Sequence, residues 1–328
     1  MPPNVIEQVN QQGIRIPVQA VKCINQHLHH LNNRESIRVD FTAIETRIRK
    51  YSKKKSRTSQ FVASQLSQIA SCLIGDGRGY WHRPIVSPFH TKTGRDQPLG
   101  ASLNQIPKDY WPRLLSPPNG STYVLLDYQQ QEPMIAAYLA GCQVLIDWYA
   151  SDDIYLQLAK AIGEGLTREQ CKKLLIGRLY GKGRQTIAHE LQRPMAQVQK
   201  WLGVMSDVTR PIDSYLDQEA SDIRIKKVAH SLDWRHAVSD MDSPLSLRNW
   251  RIQATGADIM RRACTNLDDC NIPVLLTNHD SFLVRLEQHQ LPNQLERATQ
   301  ALTDAAVAVL NGFPLKVKVE MKLTSTNK

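Results

Sequence analysis

Two short apolar runs in the sequence predict β-strands that each lead into an aspartate. Residues 123–126 lead directly into Asp127, and the run that starts at residue 274 leads into Asp280. A short apolar run bounded by polar residues is typical of a buried strand. Because residues 282–284 are again apolar, the second acid is predicted at the tip of a β-hairpin.

A helix is predicted directly after the first of these acids. Pro133 suits a first helical position, and Gly141 ends the apolar pattern that follows it. Glu132 is therefore predicted at the N-terminus of this helix, one short turn from Asp127.

A second helix carries cations along one face. It is predicted to begin at Thr167, which forms a capping-box pattern with Gln170, and to stop at Gly181. Residues four apart fall on one side of a helix, and here they are Arg168, Lys172, Ile176 and Tyr180. A helix that faces the core would not place Arg and Lys in this row. Two cations followed by a planar ring suit a triphosphate followed by a base.

The remaining segments give weaker patterns. Residues 1–80 are predicted to be mostly helical, and residues 185–235 and 249–264 to form amphipathic helices. The passage 75–120 is rich in Gly, Pro and polar residues, which indicates extended, loop-heavy structure. Residues 315–322 alternate strictly between apolar and polar, as expected of a half-buried strand.

The net charge favours a polyanionic partner. Lys and Arg number 41 against 31 Asp and Glu, which gives +10 at pH 7. Basic side chains release counterions when they meet phosphates. Many basic proteins have no nucleic-acid role, so the charge alone leaves both readings open. The same holds for a basic cluster at Lys50, Lys53, Lys54, Lys55 and Arg57, which is either a solvated loop or a phosphate contact.

Nothing in the sequence indicates secretion or a membrane. The six cysteines show no C-x-x-C pair, which favours reduced thiols. No apolar run reaches the roughly 20 residues that span a bilayer, and the N-terminus lacks a signal-peptide pattern. A cytoplasmic location is the expectation.

The two strand-end acids predict a metal site. Aspartates that meet at one edge of a sheet repel each other unless a divalent cation lies between them. Mg²⁺ binds carboxylate oxygens and leaves positions open for phosphates. Paired metals about 4 Å apart are widely used in phosphoryl transfer, so this pattern favours nucleotide chemistry.

These residues resemble the motifs of the family A DNA polymerases, the bacterial DNA polymerase I type. Residues 127–132 resemble motif A, and His279-Asp280 resembles motif C. The spacing of Arg168, Lys172 and Tyr180 resembles motif B.

Further segments strengthen the resemblance. Thr93-Gly94-Arg95 with residues 103–107 resembles the segment before motif A, and residues 249–259 resemble a helix that carries Asn249 and Gln253. Residues 13–16 are similar to the turn that opens the thumb. The resemblance covers residues 85–325 well and residues 5–80 faintly, with the motifs in the right order.

The resemblance implies an α+β fold with right-hand polymerase architecture: an antiparallel-sheet palm, helical fingers and a small helical thumb. The expected divisions are a reduced thumb-like region at 1–85, the palm at 86–155 and 236–328, and the fingers at 156–235. Only about 85 residues precede the palm-like part, so exonuclease domains and proofreading are not expected. A bacterial, phage or plasmid origin is expected.

The implied activity is template-directed addition of dNTPs to the 3′ end of a primer. Asp127 and Asp280 would hold two Mg²⁺ ions, for which Mn²⁺ is a substitute, and Lys172 would assist catalysis. The implied nucleotide-binding residues are Arg168, Lys172, Ile176, Tyr180, Glu132 and Gln130. Glu132 would exclude a ribose 2′-hydroxyl. The implied contacts to primer-template DNA are Arg95, Asn249, Gln253, His279 and Tyr128.

The sequence departs from the family pattern at four places. Ser281 stands where motif C usually has a glutamate, and Ile176 stands where the fingers helix usually has a ring. Met134 occupies an arginine position, and Tyr155 follows Asp153-Ile154 where histidine is usual.

Two rival functions remain open at this point. A single-subunit RNA polymerase shares the two aspartates and the Lys-x7-Tyr-Gly helix, but Glu132 argues against ribonucleotides. A nucleic-acid-binding protein that has lost catalysis is favoured by Ser281 and Ile176. The sequence leaves the template, DNA or RNA, undecided.

Overall fold

The described part of this computed structural model, residues 18–325, begins with helices and short strands. In chain order these elements are α1 (Val18–Asn33), β1 (Ile37–Val39), α2 (Phe41–Ser52), α3 (Arg57–Ser71), β2 (Ile74–Gly75), β3 (Tyr80–His82), β4 (Ile85–Ser87), β5 (Gln97–Leu99) and α4 (Trp111–Leu114). Strands β1, β3 and β2 form one small antiparallel sheet, and β4 pairs with β5. The predicted loop-heavy passage thus contains short strands. Residues 13–16, predicted to form the turn before the thumb, lie outside the described residues.

The second part of the chain alternates long helices with a few strands. Its elements are β6 (Ser121–Tyr128), α5 (Gln131–Leu139), α6 (Gln143–Ser151), α7 (Ile154–Ile162), α8 (Arg168–Leu179), α9 (Arg184–Leu191), α10 (Met195–Lys226), β7 (Val228–His230), β8 (Arg235–Ala237), α11 (Pro244–Asp269), β9 (Val274–Asn278), β10 (Ser281–Glu287), α12 (Leu291–Val309) and β11 (Val317–Thr324). The mixture of helices with antiparallel sheets confirms the predicted α+β class.

A four-stranded antiparallel sheet organises the molecule. Its strand order is β11-β6-β10-β9, so β6 lies between the C-terminal strand and the hairpin formed by β9 and β10. The strands predicted at residues 123–127 and 274–278 belong to this sheet, and the strand predicted at residues 315–322 is observed at Val317–Thr324. The first acid-bearing strand and the acid-bearing hairpin are therefore hydrogen-bonded neighbours.

Both faces of this sheet are covered. Successive side chains of a strand point to opposite faces. In β6, Val124, Leu126 and Tyr128 pack into a large core formed with helices α5–α12. Tyr123 and Leu125 pack on the other face against residues of α2, α3 and α4. Every residue of β6 is buried as a result, which fixes the strand that carries Asp127.

The long helix α10 ends earlier than the sequence pattern predicts. A helix was expected through residue 235, but Lys227 adopts φ +55° and the chain turns into the β7–β8 hairpin. The prediction of helix over residues 228–235 was therefore wrong. The helix predicted over 249–264 is present and is longer, because Ser243 caps it and Pro244 begins it.

No helix within residues 18–325 is long and apolar enough to cross a bilayer. All six cysteines are free.

Candidate active site

Asp127 and Asp280 lie side by side at one edge of the central sheet. Asp127 pairs across the ladder with Ser281, the first residue of β10. Asp280 occupies the tight turn before it, where His279 has φ +54° and the Tyr128 backbone N–H donates to the Asp280 carbonyl oxygen at 3.1 Å. The predicted meeting of the two acids is therefore built by strand pairing.

The two carboxyl groups disfavour each other's charge. Burial and the negative charge of Asp127 raise the pKa of Asp280 to about 7. Burial also raises the pKa of Asp127, although the ammonium group of Lys318 opposes this shift. Such a pair gains from a cation placed between its members.

Three charged side chains that the sequence reasoning missed surround Asp127. The Lys318 Nζ atom lies 3.4 Å from one carboxylate oxygen, and the Lys108 Nζ atom lies 3.9 Å from the other. Lys108 also pairs with Glu320 at 2.6 Å. The strict alternation of residues 315–322 signals the strand, but no pattern in the sequence tells which strand it pairs with.

A cavity of about 760 Å³ opens in front of the two acids. It is lined by all six residues predicted to bind a nucleotide, namely Gln130, Glu132, Arg168, Lys172, Ile176 and Tyr180. Helix α8 supplies Arg168, Lys172 and Ile176 from one face, and Tyr180, the residue that caps its C-terminus, continues the row, as the four-residue spacing predicts. Its N-terminus has the full capping box, since Thr167 accepts from the Gln170 N–H and the Gln170 side chain accepts from the Thr167 N–H.

The cations of α8 differ in their partners. Arg168 donates to the Asp153 carboxylate at 2.7 and 3.0 Å, and its guanidinium lies 5.2 Å from the centre of the Tyr155 ring. Gln130 donates to the same carboxylate at 2.6 Å. Lys172 is exposed and forms no ion pair with any residue between 18 and 325. Lys172 is thus the cation of this face that is ready to meet an anion.

Ile176 and Ser281, two of the departures from the family pattern, have defined surroundings. Ile176 is half-buried against the large core and also lines the cavity, so it faces both. Ser281 is fully buried, and its hydroxyl donates to the Asn278 carbonyl oxygen at 2.8 Å. Ser281 therefore tightens the hairpin that carries Asp280 and offers no carboxylate.

Glu132 is held by two neighbours. The Tyr180 hydroxyl donates to its carboxylate oxygens at 2.9 and 2.8 Å, and the Arg95 Nη2 atom donates at 3.0 Å. Glu132 is in the first turn of α5, where a negative charge is favourable. These contacts fix the carboxylate at one side of the cavity.

Arg95 depends on a turn that is anchored from elsewhere in the chain. Gly94 has φ +73°, and a Cβ atom there would lie 2.7 Å from the Trp234 ring. The Lys92 carbonyl oxygen accepts hydrogen bonds from the indoles of Trp234 and Trp250 at 3.1 and 3.0 Å. Glycine and these two indoles therefore set the position of Arg95.

A second cavity of about 370 Å³ adjoins the first. Arg95 and His279 line both cavities, so they lie at the junction. Asn249 and Gln253, also predicted to contact DNA, line a narrow crevice beneath Glu132 and Tyr180. Arg95 and His279 therefore lie at the open cleft, whereas Asn249 and Gln253 lie behind it.

Tyr128 does not serve the predicted contact with DNA. Its side chain is fully buried, and its hydroxyl donates to the Leu302 carbonyl oxygen at 2.6 Å. The reason is strand alternation, because neighbours in a strand point to opposite faces and Asp127 faces the site. The expectation for this side chain is corrected: the ring belongs to the core.

The donor set fits a hard divalent cation. Asp127 and Asp280 supply oxygen ligands at the wall of an open, polar cavity, and a lysine ammonium already lies against Asp127. Among the described residues there is no group of three or more His, Cys, Asp or Glu arranged to hold a metal. One or two carboxylates with water and substrate phosphates are typical of Mg²⁺, whereas a closed cage is not needed.

Comparisons with known proteins identify the fold and the family. The polymerase domain of Pol1 from M. smegmatis, solved in complex with DNA primer-template and dNTP, is similar with a TM-score of 0.68 and 20% sequence identity. The match covers 80% of this chain and 50% of that one, so the chain spans about half of its length. It confirms the expected polymerase fold. No curated protein matches the chain.

The model of one protein family matches most of the sequence. That family is described as DNA polymerase family A, and the match spans residues 40–327. The chain therefore belongs to the family A DNA polymerases.

Proposed function

We propose that the protein is a template-directed DNA polymerase that adds dNTPs to the 3′ end of a primer. The observation that carries this proposal is the single cavity in which two strand-end aspartates face the cationic side of α8. Acids that suit a divalent cation and a lysine that suits a phosphate then meet at one place. Family membership supports the same activity.

In this proposal the order of the motifs along the chain divides it into palm, fingers and thumb. The central sheet with residues 86–155 and 236–328 is the palm, residues 156–235 with α8 are the fingers, and residues 1–85 are a reduced thumb. The α2–α3 pair of this thumb places Lys53, Lys54 and Lys55 between its helices, exposed and suited to phosphate contact.

Asp127 and Asp280 would hold two divalent ions, Mg²⁺ or Mn²⁺. Bound there, the ions would activate the primer 3′-hydroxyl and neutralise charge on the leaving pyrophosphate. The chain's own contribution is to fix both carboxylates by strand pairing before substrate arrives. Preorganised charge of this kind needs little rearrangement during the reaction.

Lys172 would bind the incoming triphosphate. Its ammonium group is exposed at the cavity and unpaired within the described chain, so no ion pair has to break first. Arg168 would reach a phosphate only by sharing its guanidinium with Asp153. We assign the main phosphate contact to Lys172 and a supporting one to Arg168, with Gln130 holding Asp153 in place.

The sugar and the base of the nucleotide would contact the part of the cavity formed by Glu132 and Ile176. Glu132, fixed by Tyr180 and Arg95, would crowd a ribose 2′-hydroxyl, and Ile176 would pack against the nucleotide. Arg95 and His279 at the cavity junction would contact the primer terminus. Asn249 and Gln253 would support Tyr180 from behind.

Primer extension tests this proposal. With DNA and RNA templates, and with dNTPs compared with rNTPs, we expect extension that requires a divalent cation and prefers dNTPs. Asp127→Asn and Asp280→Asn should each lower extension by more than about a hundredfold, the scale on which site electrostatics act. Asp304→Asn on the exposed side of α12 is the matched control and should retain activity.

The results separate the rival functions. Preference for rNTPs would favour an RNA polymerase. Duplex binding without extension by the unaltered protein would favour a catalytically inactive binder, for which the missing carboxylate at Ser281 is the motivating observation. Retention of more than a few per cent of activity by either aspartate variant would overturn the metal assignment.

A further inference from the structure

Asp127 is already in contact with positive charge supplied by the chain. Lys318 Nζ lies 3.4 Å from Oδ1, and Lys108 Nζ lies 3.9 Å from Oδ2. The Lys108 ammonium is also held by Glu320 at 2.6 Å, much closer than its distance to Asp127. Lys318 is therefore the closer partner of the Asp127 carboxylate, whereas Lys108 is paired mainly with Glu320.

Strand pairing delivers these groups to the site. Lys318 lies directly opposite Asp127 in the β11–β6 ladder. The register then shifts between Val319 and Met321, which makes Glu320 the extra residue of a β-bulge. Bulges re-aim side chains and are frequent next to active sites. Lys108 comes from a short 3₁₀-helix, Lys108–Tyr110, on the other side of Asp127.

We propose that Lys318 competes with the divalent cation for Asp127, and that Glu320 keeps Lys108 from doing the same. This inference rests on the proposed function, since it concerns the cation that the polymerase reaction would use. A divalent ion bound to Oδ1 at about 2.1 Å would lie close to the ammonium group, and like charges at that separation repel. Lys318 must therefore withdraw when the ion binds.

The surroundings allow this exchange. The Lys318 side chain is 45% exposed, so its ammonium can move into water on a flexible stem. Lys108 is 30% exposed and is tied to Glu320. Lys318 is thus the movable counter-charge of Asp127, whereas Lys108 and Glu320 form a pair that stays together beside the ion.

Lys318→Gln and Glu320→Gln should change the affinity for the metal in opposite directions. Lys318→Gln removes a competitor, so the Kd for Mn²⁺ should fall by about two- to fivefold, as fits the modest strength of a partly exposed ion pair. Glu320→Gln releases Lys108 toward Asp127 and removes a nearby negative charge, so the Kd should rise by a similar factor. Lys318→Arg keeps the competing charge and should remain near the unaltered protein.

The experiment is a titration of the full chain with Mn²⁺, followed by electron paramagnetic resonance, without nucleic acid or nucleotide. Lys322→Gln is the matched control, because Lys322 lies on the same strand and forms no ion pair within the described part of the chain. It should leave the Kd unchanged. The double variant Lys108→Gln/Glu320→Gln should restore most of the loss in Glu320→Gln if Glu320 acts through Lys108.

The outcomes are distinguishable from those of the proposed function. Equal Kd values for the unaltered protein and Lys318→Gln would overturn the inference, and so would equal shifts in Lys318→Gln and Lys322→Gln. If either of these results is found but the unaltered protein extends primers, the inference fails and the proposed function is retained. If Lys318→Gln tightens Mn²⁺ binding but no primer is extended under any condition, only the proposed function fails.

Discussion

The hydroxyl of Tyr180 donates to both carboxylate oxygens of Glu132, at 2.9 and 2.8 Å. This contact joins the end of helix α8 to the first turn of α5 across the cavity. A residue assigned to the nucleotide base thus positions a residue assigned to the sugar. Selection of the sugar should depend on Tyr180 as well as on Glu132.

We expect Tyr180→Phe to raise incorporation of rNTPs relative to dNTPs. A hydrogen bond to a charged group contributes about 1.5–3 kcal/mol, so its loss should change the ratio by roughly ten- to a hundredfold. Glu132→Ala should change the ratio at least as much. Single-nucleotide insertion kinetics measure both, with Tyr138→Phe as the control outside the cavity. An unchanged ratio in both variants would show that Glu132 is only structural.

Ile176→Phe tests whether the aliphatic side chain faces the nucleotide. Stacking on a ring contributes about 1–3 kcal/mol per base in single-strand binders, so the added ring should lower the KM for dNTPs. Because Ile176 also packs against the core, the larger ring could instead strain the site by about 1–3 kcal/mol. Insertion kinetics and melting temperature separate the two effects. Unchanged KM in a stably folded variant would contradict the placement.

Asp153 should matter for stability through its cap and its ion pair. It accepts from the backbone N–H groups of Tyr155 and Leu156 and holds Arg168. Loss of an N-cap costs about 1 kcal/mol. Asp153→Ala should therefore lower the melting temperature, whereas Asp153→Asn should keep the cap and recover part of the loss. Equal melting temperatures for the two variants would mean that the cap contributes little.

His82 should make the protein less stable in mild acid. Its side chain is 2% exposed, neither ring nitrogen has a hydrogen-bond partner within residues 18–325, and burial lowers the pKa of His82 to about 4. The unfolded chain then binds a proton below about pH 6.5 that the folded chain accepts only near pH 4. Stability should decline as pH falls through this window.

Urea unfolding between pH 7.5 and 4.5 measures this decline. His82→Phe removes the buried titrating group, so its free energy of unfolding should fall less with decreasing pH than that of the unaltered protein. Each unit of pKa difference corresponds to about 1.4 kcal/mol. His289→Gln, at a surface position, should leave the slope as it is. Identical slopes for His82→Phe and the unaltered protein would contradict the assignment.

The sequence predicts those parts of the site that depend on local pattern. The strand that carries Asp127 and the hairpin that carries Asp280 follow from apolar runs, and the start of α8 follows from the spacing of Thr167 and Gln170, because both signals act within a few residues. These parts are present in the structure as predicted.

Other parts of the site depend on pairing between strands that are distant in the chain, so they could not be predicted from local sequence patterns. Lys318 and Glu320 reach Asp127 only because β11 pairs with β6 and carries a bulge, and neither register nor bulge leaves a signal in one sequence. For Tyr128 the signal was local, since strand alternation already predicts that its side chain points to the face of the sheet away from the Asp127 side chain. The hairpin after Lys227 was missed because a single left-handed residue ended a pattern that otherwise read as helical.

The turn that carries Arg95 takes its anchors from much later in the chain. The Lys92 carbonyl is held by Trp234 and Trp250, which follow it by more than 140 residues. During synthesis on a ribosome, Arg95 emerges long before either indole is made. The junction of the two cavities therefore reaches its folded form only after the segment that carries both indoles has been synthesised and has packed against the turn at Lys92.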